Sequence, residues 1–576
     1  MDLMKKLDYT IELAKNGEKT IKVHGLYLHS TYYPSKEAEK IVRKHYTKGR
    51  LFILFGLGLG YLVQAFDELL DPEYDHLFVI EPSSDLFDIA IQEANVKEVL
   101  QKSYISFFVG TQQEIAYWKL GQLIDEHAGK IVIIDSPNYK QLFDKEYGEF
   151  LNKVKELSYL NIVNINTIFA WSKNWQQNLL SNLYSAIEAT PFAKLTEEKL
   201  NCPVIIASGG PSLTKQLELL KTVENRALII CAGSTINSLL KYGIKPHILV
   251  VIDGAEVNFA HFKDVEDIHD IPLFYPLIVY REIPSYHQGE KVVFNLQKDE
   301  LSETIDRIFY EKLGHVKGGG SVATFCLSIA QQLTNGPICL IGQDLAYTNF
   351  QTHAEGNRLG KTLDKSEFSN TKKYLKVKGF YGDDVFTDYS FYSMKQTFEQ
   401  LIKSFVDRVV YNATEGGVFI EGAVHLSFAD FIKNYCHVDV EQDLSHFTAK
   451  IRTNQFNKTL IKRSLCEFIH HSLNNIDKVI ELSGRALDCM KDMKRDEELV
   501  LINSKLDQIE EEIKIQLDNG LLEYLFMTTV FKVFYQSDES SLIEKTRFLH
   551  QSIKDLSKQA RSWLEDLKQQ LEGMII

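Results

Sequence analysis

Short apolar runs that break into glycine, serine or aspartate and then pass into helical periodicity recur up to about Ile420, after which only the helical period remains. Leu51 to Phe55 ends in Gly56, Gly58 and Gly60. PVIIASGGPSL, residues 203–213, ends in Ser208, Gly209, Gly210, Pro211 and Ser212. ALIICAGSTINSLLKYGIKPHILVVIDG, residues 227–254, carries two such strands, one turning at Gly233 and Ser234 and the other ending at Asp253. KGGGSVATFCLSIAQQLTNGPICLIGQDLAY, residues 317–347, sets Gly318, Gly319, Gly320 and Ser321 before a helix, and Gln343 and Asp344 after a strand. Continuous apolar strands alternating with helices predict parallel sheets buried on both faces, the α/β class. In open sheets of this kind ligands lie at the carboxyl ends of the strands, so the polar residues of the central segment converge. Glycine lets a ligand approach the backbone there, and amides at helix starts favour anions.

The same pattern divides the chain into three expected domains: 1–190, 191–430 and 431–576. The first opens with short strands at Thr10–Leu13, Thr20–Val23 and Tyr27–Ser30 around the turn residues Asn16 and Gly17, then a helix near Lys36–His45. A Rossmann-like unit follows, with the G-x-G-x-G turn, a helix, a strand ending in Glu81 and Pro82, and a later strand at Ile131–Ile134. Such a turn with an acidic residue closing the next strand suits a nucleotide or S-adenosylmethionine; the same glycines also suit a tight strand-to-helix turn that holds nothing. Residues 164–190, with Trp171 and Trp175, read as a connecting helix. Asn349 to Asp388 is polar, aromatic and irregular, and its length suits a lid over the site. Beyond Phe431, Leu499, Ile502, Leu506, Ile509, Ile513 and Leu517, and later Ile553, Leu556, Ala560, Trp563, Leu567 and Leu571, recur at steps suited to an amphipathic bundle.

A net charge of −14 argues against a broad nucleic-acid surface. The seven cysteines, odd in number and without a CxxC pair, sit mostly in apolar runs and predict free thiols in a reducing cytoplasm. No segment approaches the apolar length needed to span a membrane, so none is expected as a partner. Neither glycine turn is followed by the Lys-Ser or Lys-Thr of a P-loop, and HExxH, GxSxG, D-x-D and a Cys/His cluster are missing. What fits is metal-free handling of a phosphate by amides and hydroxyls, with no bound cofactor.

PVIIASGGPSL, ICAGSTINSLLKYGIKPHILVVIDG, GGGSVATFCLSIAQQL, IGQDLAYTNFQTHAEG and NATEGGVFIEGA resemble, in order, the motifs of the motility-associated factor (Maf) flagellin glycosyltransferases. The resemblance is strongest over about residues 200–425 and extends to the N-terminal GLGLGYL and the helical tail. It implies a central domain similar to metal-free bacterial sialyltransferases. It further implies transfer of a nonulosonic acid, such as pseudaminic or legionaminic acid, from its CMP-activated form to Ser or Thr of flagellin in the cytoplasm. On that resemblance Ser208, Gly209, Gly210 and Ser212 would hold the nucleotide phosphate or the sugar, and Gly233 and Ser234 would border the cytidine. Asp253 would bind a ribose or sugar hydroxyl, and Gly318, Gly319, Gly320 and Ser321 would meet the phosphate or the sugar carboxylate. Gln343, Asp344 and Tyr347 end the last motif strand, where related sialyltransferases place a tyrosine near the leaving phosphate. His353 would be the general base or a phosphate donor. The region of the related enzymes' catalytic histidine, residues 378–388 here, offers only Tyr381, Asp383 and Asp388. Glu415 would bind substrate, and Glu415 and Glu421 would serve as the base or fix their turn. The glycines, Asp253 and Asp344 equally suit plain turn and capping roles. A pterin diphosphokinase group shares the central motifs and supplies a second enzymatic reading; a non-catalytic flagellin-binding protein is the third.

Overall fold

The computed structural model describes residues 7–573 apart from 94–95, 112–113, 128, 297, 370–373, 407, 454, 494–497, 499–501, 518–519, 521 and 536–540. They fall into two compact units, residues 1–169 and 170–576.

In the first unit, antiparallel strands Tyr9–Leu13, Lys19–Val23 and Leu26–Tyr27 precede the helix Pro34–His45. The third strand stops short of the expected Ser30 because the Ser30 amide turns to Glu37 Oε2 at 2.8 Å. A parallel four-stranded sheet follows in the order Ile105–Val109, His76–Glu81, Leu51–Phe55, Ile131–Asp135. Every residue of LFILF is buried, as a sheet covered on both faces requires. The glycine turn after it is filled from within. Gly58 N donates to Tyr139 Oη (2.8 Å), Leu59 N to His29 Nε2 (2.8 Å) and Leu57 N to Glu81 Oε2 (2.7 Å), while the Tyr139 hydroxyl donates to the same carboxylate at 2.7 Å. Gly58 sits at φ +56°, and a Cβ there would lie 2.6 Å from the His29 ring. Burial pushes the Glu81 carboxyl up to about 7 against the pull of these donors. Of the two sequence readings, close internal packing is the one this geometry matches.

The second unit is built on nine parallel strands in the order Val424–His425, Val410–Asn412, Ile338–Ile341, Val204–Ala207, Leu228–Ala232, Ile248–Val250, Leu273–Pro276, Lys291–Phe294, Thr190–Pro191. From Val204–Ala207 the chain builds outward in one direction, then returns to lay Ile338–Ile341 on the opposite side. The strand order therefore reverses between Ala207 and Ile341, which is where open parallel sheets leave a crevice. The stretch read as irregular, 349–388, holds an antiparallel hairpin, Tyr374–Lys378 with Asp384–Asp388. Its alternation of apolar and charged residues carries the strand period, which the Lys, Gly and Tyr content obscured.

The bundle forms from Lys458–Cys489, Asn503–Leu517, Glu523–Tyr535 and Leu542–Gly573. Leu506, Ile509, Ile513, Ala560, Leu567 and Leu571 are buried as their spacing predicts, while Leu499 lies outside the described residues. Leu465 and Leu564 share one apolar cluster with Leu213 and Ile229 beneath the sheet, so no separate compact body begins at 431. The connecting helix runs from Asp144 to Ala186, and Trp175 packs on Gly254, where a Cβ would come within 2.7 Å of its ring. All seven cysteines are free thiols, five of them buried. Among the described residues no helix is long and apolar enough to cross a membrane.

Candidate active site

Two turns meet at the strand reversal. Ser208 N donates to Ile341 O (3.0 Å), Gly210 N to Gly342 O (2.8 Å), and Ser208 Oγ to Gln343 Oε1 (2.6 Å). A Cβ on Gly210 would lie 2.2 Å from Asp344 Oδ2 and 2.5 Å from Gly342 O, so only glycine lets the turns close. The segment after Gly210 was expected to start as an α-helix, but Pro211–Gln216 is a 3-10 helix, and the α-helix begins at Leu217. Gln216 supplies a reason. Its side chain accepts from Gly342 N (3.2 Å) and donates to Ala413 O and to Thr414 O (3.2 Å), fixing the first turn from outside.

Asp344 is 1% exposed, and its carboxylate accepts from Ser212 N (3.1 Å), Ser212 Oγ (2.7 Å) and Thr348 Oγ1 (2.5 Å). Burial raises its pKa while these donors lower it. The side chain is a tie between the two turns.

Residues 348–362 fold over this junction. Ala354 N donates to Gly209 O (2.9 Å), Glu355 N to Thr214 Oγ1 (3.0 Å), and the Arg358 guanidinium to Ala260 O (2.6 Å) and Lys263 O (3.0 Å). Between loop and turn lies a cavity of about 600 Å³ lined by Ser212, Lys215, His353, Asn357 and Lys361 among others. The lining carboxylate of Glu355 is paired with Lys241 at 2.7 Å, which leaves Lys215 and Lys361 to give the cavity cationic character. A ligand drawn to it is an anion.

His353 is the one titratable ring in that lining. His353 Nδ1 lies 3.0 Å from Thr352 Oγ1, which also accepts from Lys361 N (2.9 Å) and lies 3.2 Å from Lys361 O. In the tautomer that donates from Nδ1 to Thr352, Nε2 carries a bare lone pair. Burial lowers the ring's pKa below 6.5 and keeps it neutral. A Cβ built on Gly209 would stand 3.1 Å from Thr235 Oγ1, 3.7 Å from His353 Cδ2 and 3.9 Å from Asn357 Nδ2, so these groups surround the Gly209 backbone. Asn357 Nδ2 also reaches Ser234 Oγ at 3.4 Å. Thr235 Oγ1 is buried with no partner among the described residues.

The fold thus gathers Ser208, Gly209, Gly210, Ser212, Ser234, Gln343, Asp344 and His353. Gly233 and the Gly318–Ser321 turn lie beside one another outside the lining of that cavity: a Cβ on Gly233 would be 3.7 Å from Val322, the first residue of the helix that Ser321 caps through Ala323 N (3.3 Å). Gly319 N is taken by Thr324 Oγ1 at 3.0 Å. Three expected residues are engaged differently. The Tyr347 hydroxyl donates to Asp388 Oδ2 (2.7 Å), which together with burial raises its pKa. Glu415, at φ +56°, accepts the Phe428 amide on Oε2 (3.1 Å) and so fixes its turn. Asp253 lies beyond the end of the strand Ile248–Val250; its carboxylate has no hydrogen-bond partner among the described residues, and desolvation by the surrounding protein raises its pKa. Thr235, Asn357, Lys215 and Gln216 were missed from sequence. Thr235 adjoins Ser234 in the GST turn, whereas Asn357 meets Ser234 only through the fold. Among the described residues no three His, Cys, Asp or Glu side chains cluster as a metal cage.

A family model described as 6-hydroxymethylpterin diphosphokinase MptE-like matches residues 177–350, which run from the connecting helix to Phe350 and take in seven of the nine strands, all but Val410–Asn412 and Val424–His425. An uncharacterized protein of Treponema pallidum (strain Nichols) is 20% identical over 224 residues, 38% of this chain and 75% of that protein. The solved structure of a MAf glycosyltransferase from Magnetospirillum magneticum AMB-1 superposes with a TM-score of 0.57 at 14% identity, covering 99% of this chain and 95% of that one. The chain has the fold of a MAf glycosyltransferase. That Maf-like fold takes in the N-terminal sheet, the nine-stranded sheet and the helical tail together, as the sequence resemblance implied.

Proposed function

We propose that this protein is a glycosyltransferase that moves a nonulosonic acid from its CMP-activated form to Ser or Thr hydroxyls of flagellin in the cytoplasm, serving flagellum assembly and motility, with no divalent cation or bound cofactor. The observation that carries the reading is the cationic cavity at the strand reversal with a neutral histidine in its wall. In this account Lys215, Lys361 and Asn357, beside the Gly209 backbone, hold the phosphate, and Gly233, Ser234 and Ser321 face the cytidine and the sugar carboxylate. His353 Nε2 takes the proton from the acceptor hydroxyl as its oxygen bonds the anomeric carbon. The bond from that carbon to the phosphate oxygen breaks, and the electron pair leaves with CMP. Asp253 binds a sugar or ribose hydroxyl from the next strand. Asp344, Tyr347 and Glu415 position the turns and do not touch the reacting atoms.

The test is the intact mass of flagellin co-expressed with this chain and a CMP-sugar supply. A mass raised by whole nonulosonic acid units supports the proposal, and an unchanged mass overturns it. The family match over residues 177–350 favours one other reading, diphosphate transfer to a pterin. Stabilisation by ATP with Mg²⁺ and not by CMP would select it.

A further inference from the structure

A second, larger opening lies apart from the cavity under the loop. It measures about 770 Å³ and runs between the connecting helix, the Glu282–Tyr286 helix and the C-terminal helix. Gln177, Ser181, Arg281, Trp563, Gln569 and Gln570 line it. We infer that this groove binds the acceptor polypeptide as an extended segment; the identity of that occupant rests on the transferase reading above.

The chemistry of the lining favours a peptide. The side chains of Gln177, Ser181, Gln569 and Gln570 have no hydrogen-bond partner among the described residues, and each offers both a donor and an acceptor. An extended backbone presents one N–H and one C=O per residue and needs that two-sided complement. Trp563, half-buried, adds a flat apolar anchor, and Arg281 a cation held by Asn178 Oδ1 at 3.4 Å and stacked on Tyr280. Trp and Arg are the residues that most often carry interface energy.

Hydrogen bonds tie the groove to the segment that follows the strand Ile248–Val250. On the connecting helix, Gln177, Ser181 and Ser185 face the groove. Asn178 and Asn182 face the 277–281 segment, bonding Ile278 O (3.2 Å), Leu277 O (2.8 Å) and Val279 O (2.8 Å). Asn178 also donates to Gly254 O (3.0 Å) and accepts from Arg281 N (3.3 Å), and Tyr280 N donates to Asp253 O (3.1 Å). The groove wall and the free carboxylate of Asp253 are thus fixed to one another through a few hydrogen bonds.

The test uses the full chain and purified flagellin monomer. A photo-crosslinking benzoylphenylalanine replaces Gln570 and, as control, exposed Leu460 on a different stretch of the bundle. We expect crosslinking to flagellin from position 570 and not from 460. Trp563→Ala and the surface change Gln570→Arg should each raise the acceptor KM by about tenfold while CMP affinity stays within about twofold. No crosslink at 570, or an acceptor KM within about twofold of wild type in both variants, overturns the inference. The two readings fail separately. CMP binding without crosslinking at 570 removes the groove alone, whereas crosslinking at 570 in a protein that transfers no sugar keeps the groove and removes the transferase.

Discussion

Replacing Asp344 separates a tie in the scaffold from a group that takes part in chemistry. In Asp344→Ala, Ser212 N–H, Ser212 Oγ and Thr348 Oγ1 lose their shared acceptor at a site that is 1% exposed. The two hydroxyls can turn elsewhere, but the amide cannot. One stranded donor, two weakened charge-assisted bonds and the small void together cost about 3–5 kcal/mol. Residues 170–576 unfold with an entropy of about 0.85 kcal/mol/K at about 2.1 cal/mol/K per residue, so the loss is about 4–6 °C in Tm. Asp344→Asn keeps an oxygen for Ser212 Oγ and Thr348 Oγ1 but sets an NH₂ against the Ser212 amide, and should cost about 1–3 kcal/mol. Melting followed by circular dichroism, with urea titration as a cross-check, measures both. CMP affinity should fall in the same order as stability, because the Ser208–Ser212 turn loosens. An Asp344→Asn protein with wild-type melting and CMP affinity but no transfer would refute this reasoning and make the carboxylate a reacting group.

His353→Gln should lower transfer by about 10²–10⁴-fold, the usual contribution of a general base, with CMP affinity little changed. For the wild type, burial holds the ring below its ordinary 6.5, so its base form persists above the lowered pKa and is lost by protonation as pH falls through it. The kcat/KM profile should therefore be flat near neutrality and fall on the acid side below 6.5, and His353→Gln should lack that limb. In the first unit, Tyr139→Phe strands the Gly58 amide and removes a donor from buried Glu81, a loss of about 1–3 kcal/mol read by urea denaturation. No nucleotide should stabilise residues 1–169, since the turn amides are already occupied; a thermal shift with S-adenosylmethionine or NAD that depends on Gly58 would contradict this.

The glycine turns, the parallel strands and the convergence of Ser208, Ser234 and Gln343 were legible because they depend on local period and on the rule that polar residues gather at strand ends. What remained hidden is set by contacts distant in sequence. Gln216 looks like an ordinary helix residue, and only its bonds to residues 342, 413 and 414 explain the 3-10 turn. Asp344 and Tyr347 carry chemistry-bearing side chains in a motif, yet Ser212, Thr348 and Asp388 occupy them. The G-x-G-x-G turn showed a ligand site by pattern, but Tyr139 and His29, far apart in the chain, fill it. Residues 374–388 concealed a hairpin under a polar composition.

The central claim is that a cytidylate-linked sugar is held between the Ser208–Ser212 turn and the loop carrying His353. A crystal structure of the chain with cytidine 5′-monophosphate, grown in the presence of a chelator, tests it most directly. The account predicts the phosphate beside Gly209, Lys215 and Asn357 with His353 Nε2 facing the sugar side. Nucleotide bound elsewhere, or this cavity empty at saturating nucleotide, would contradict it.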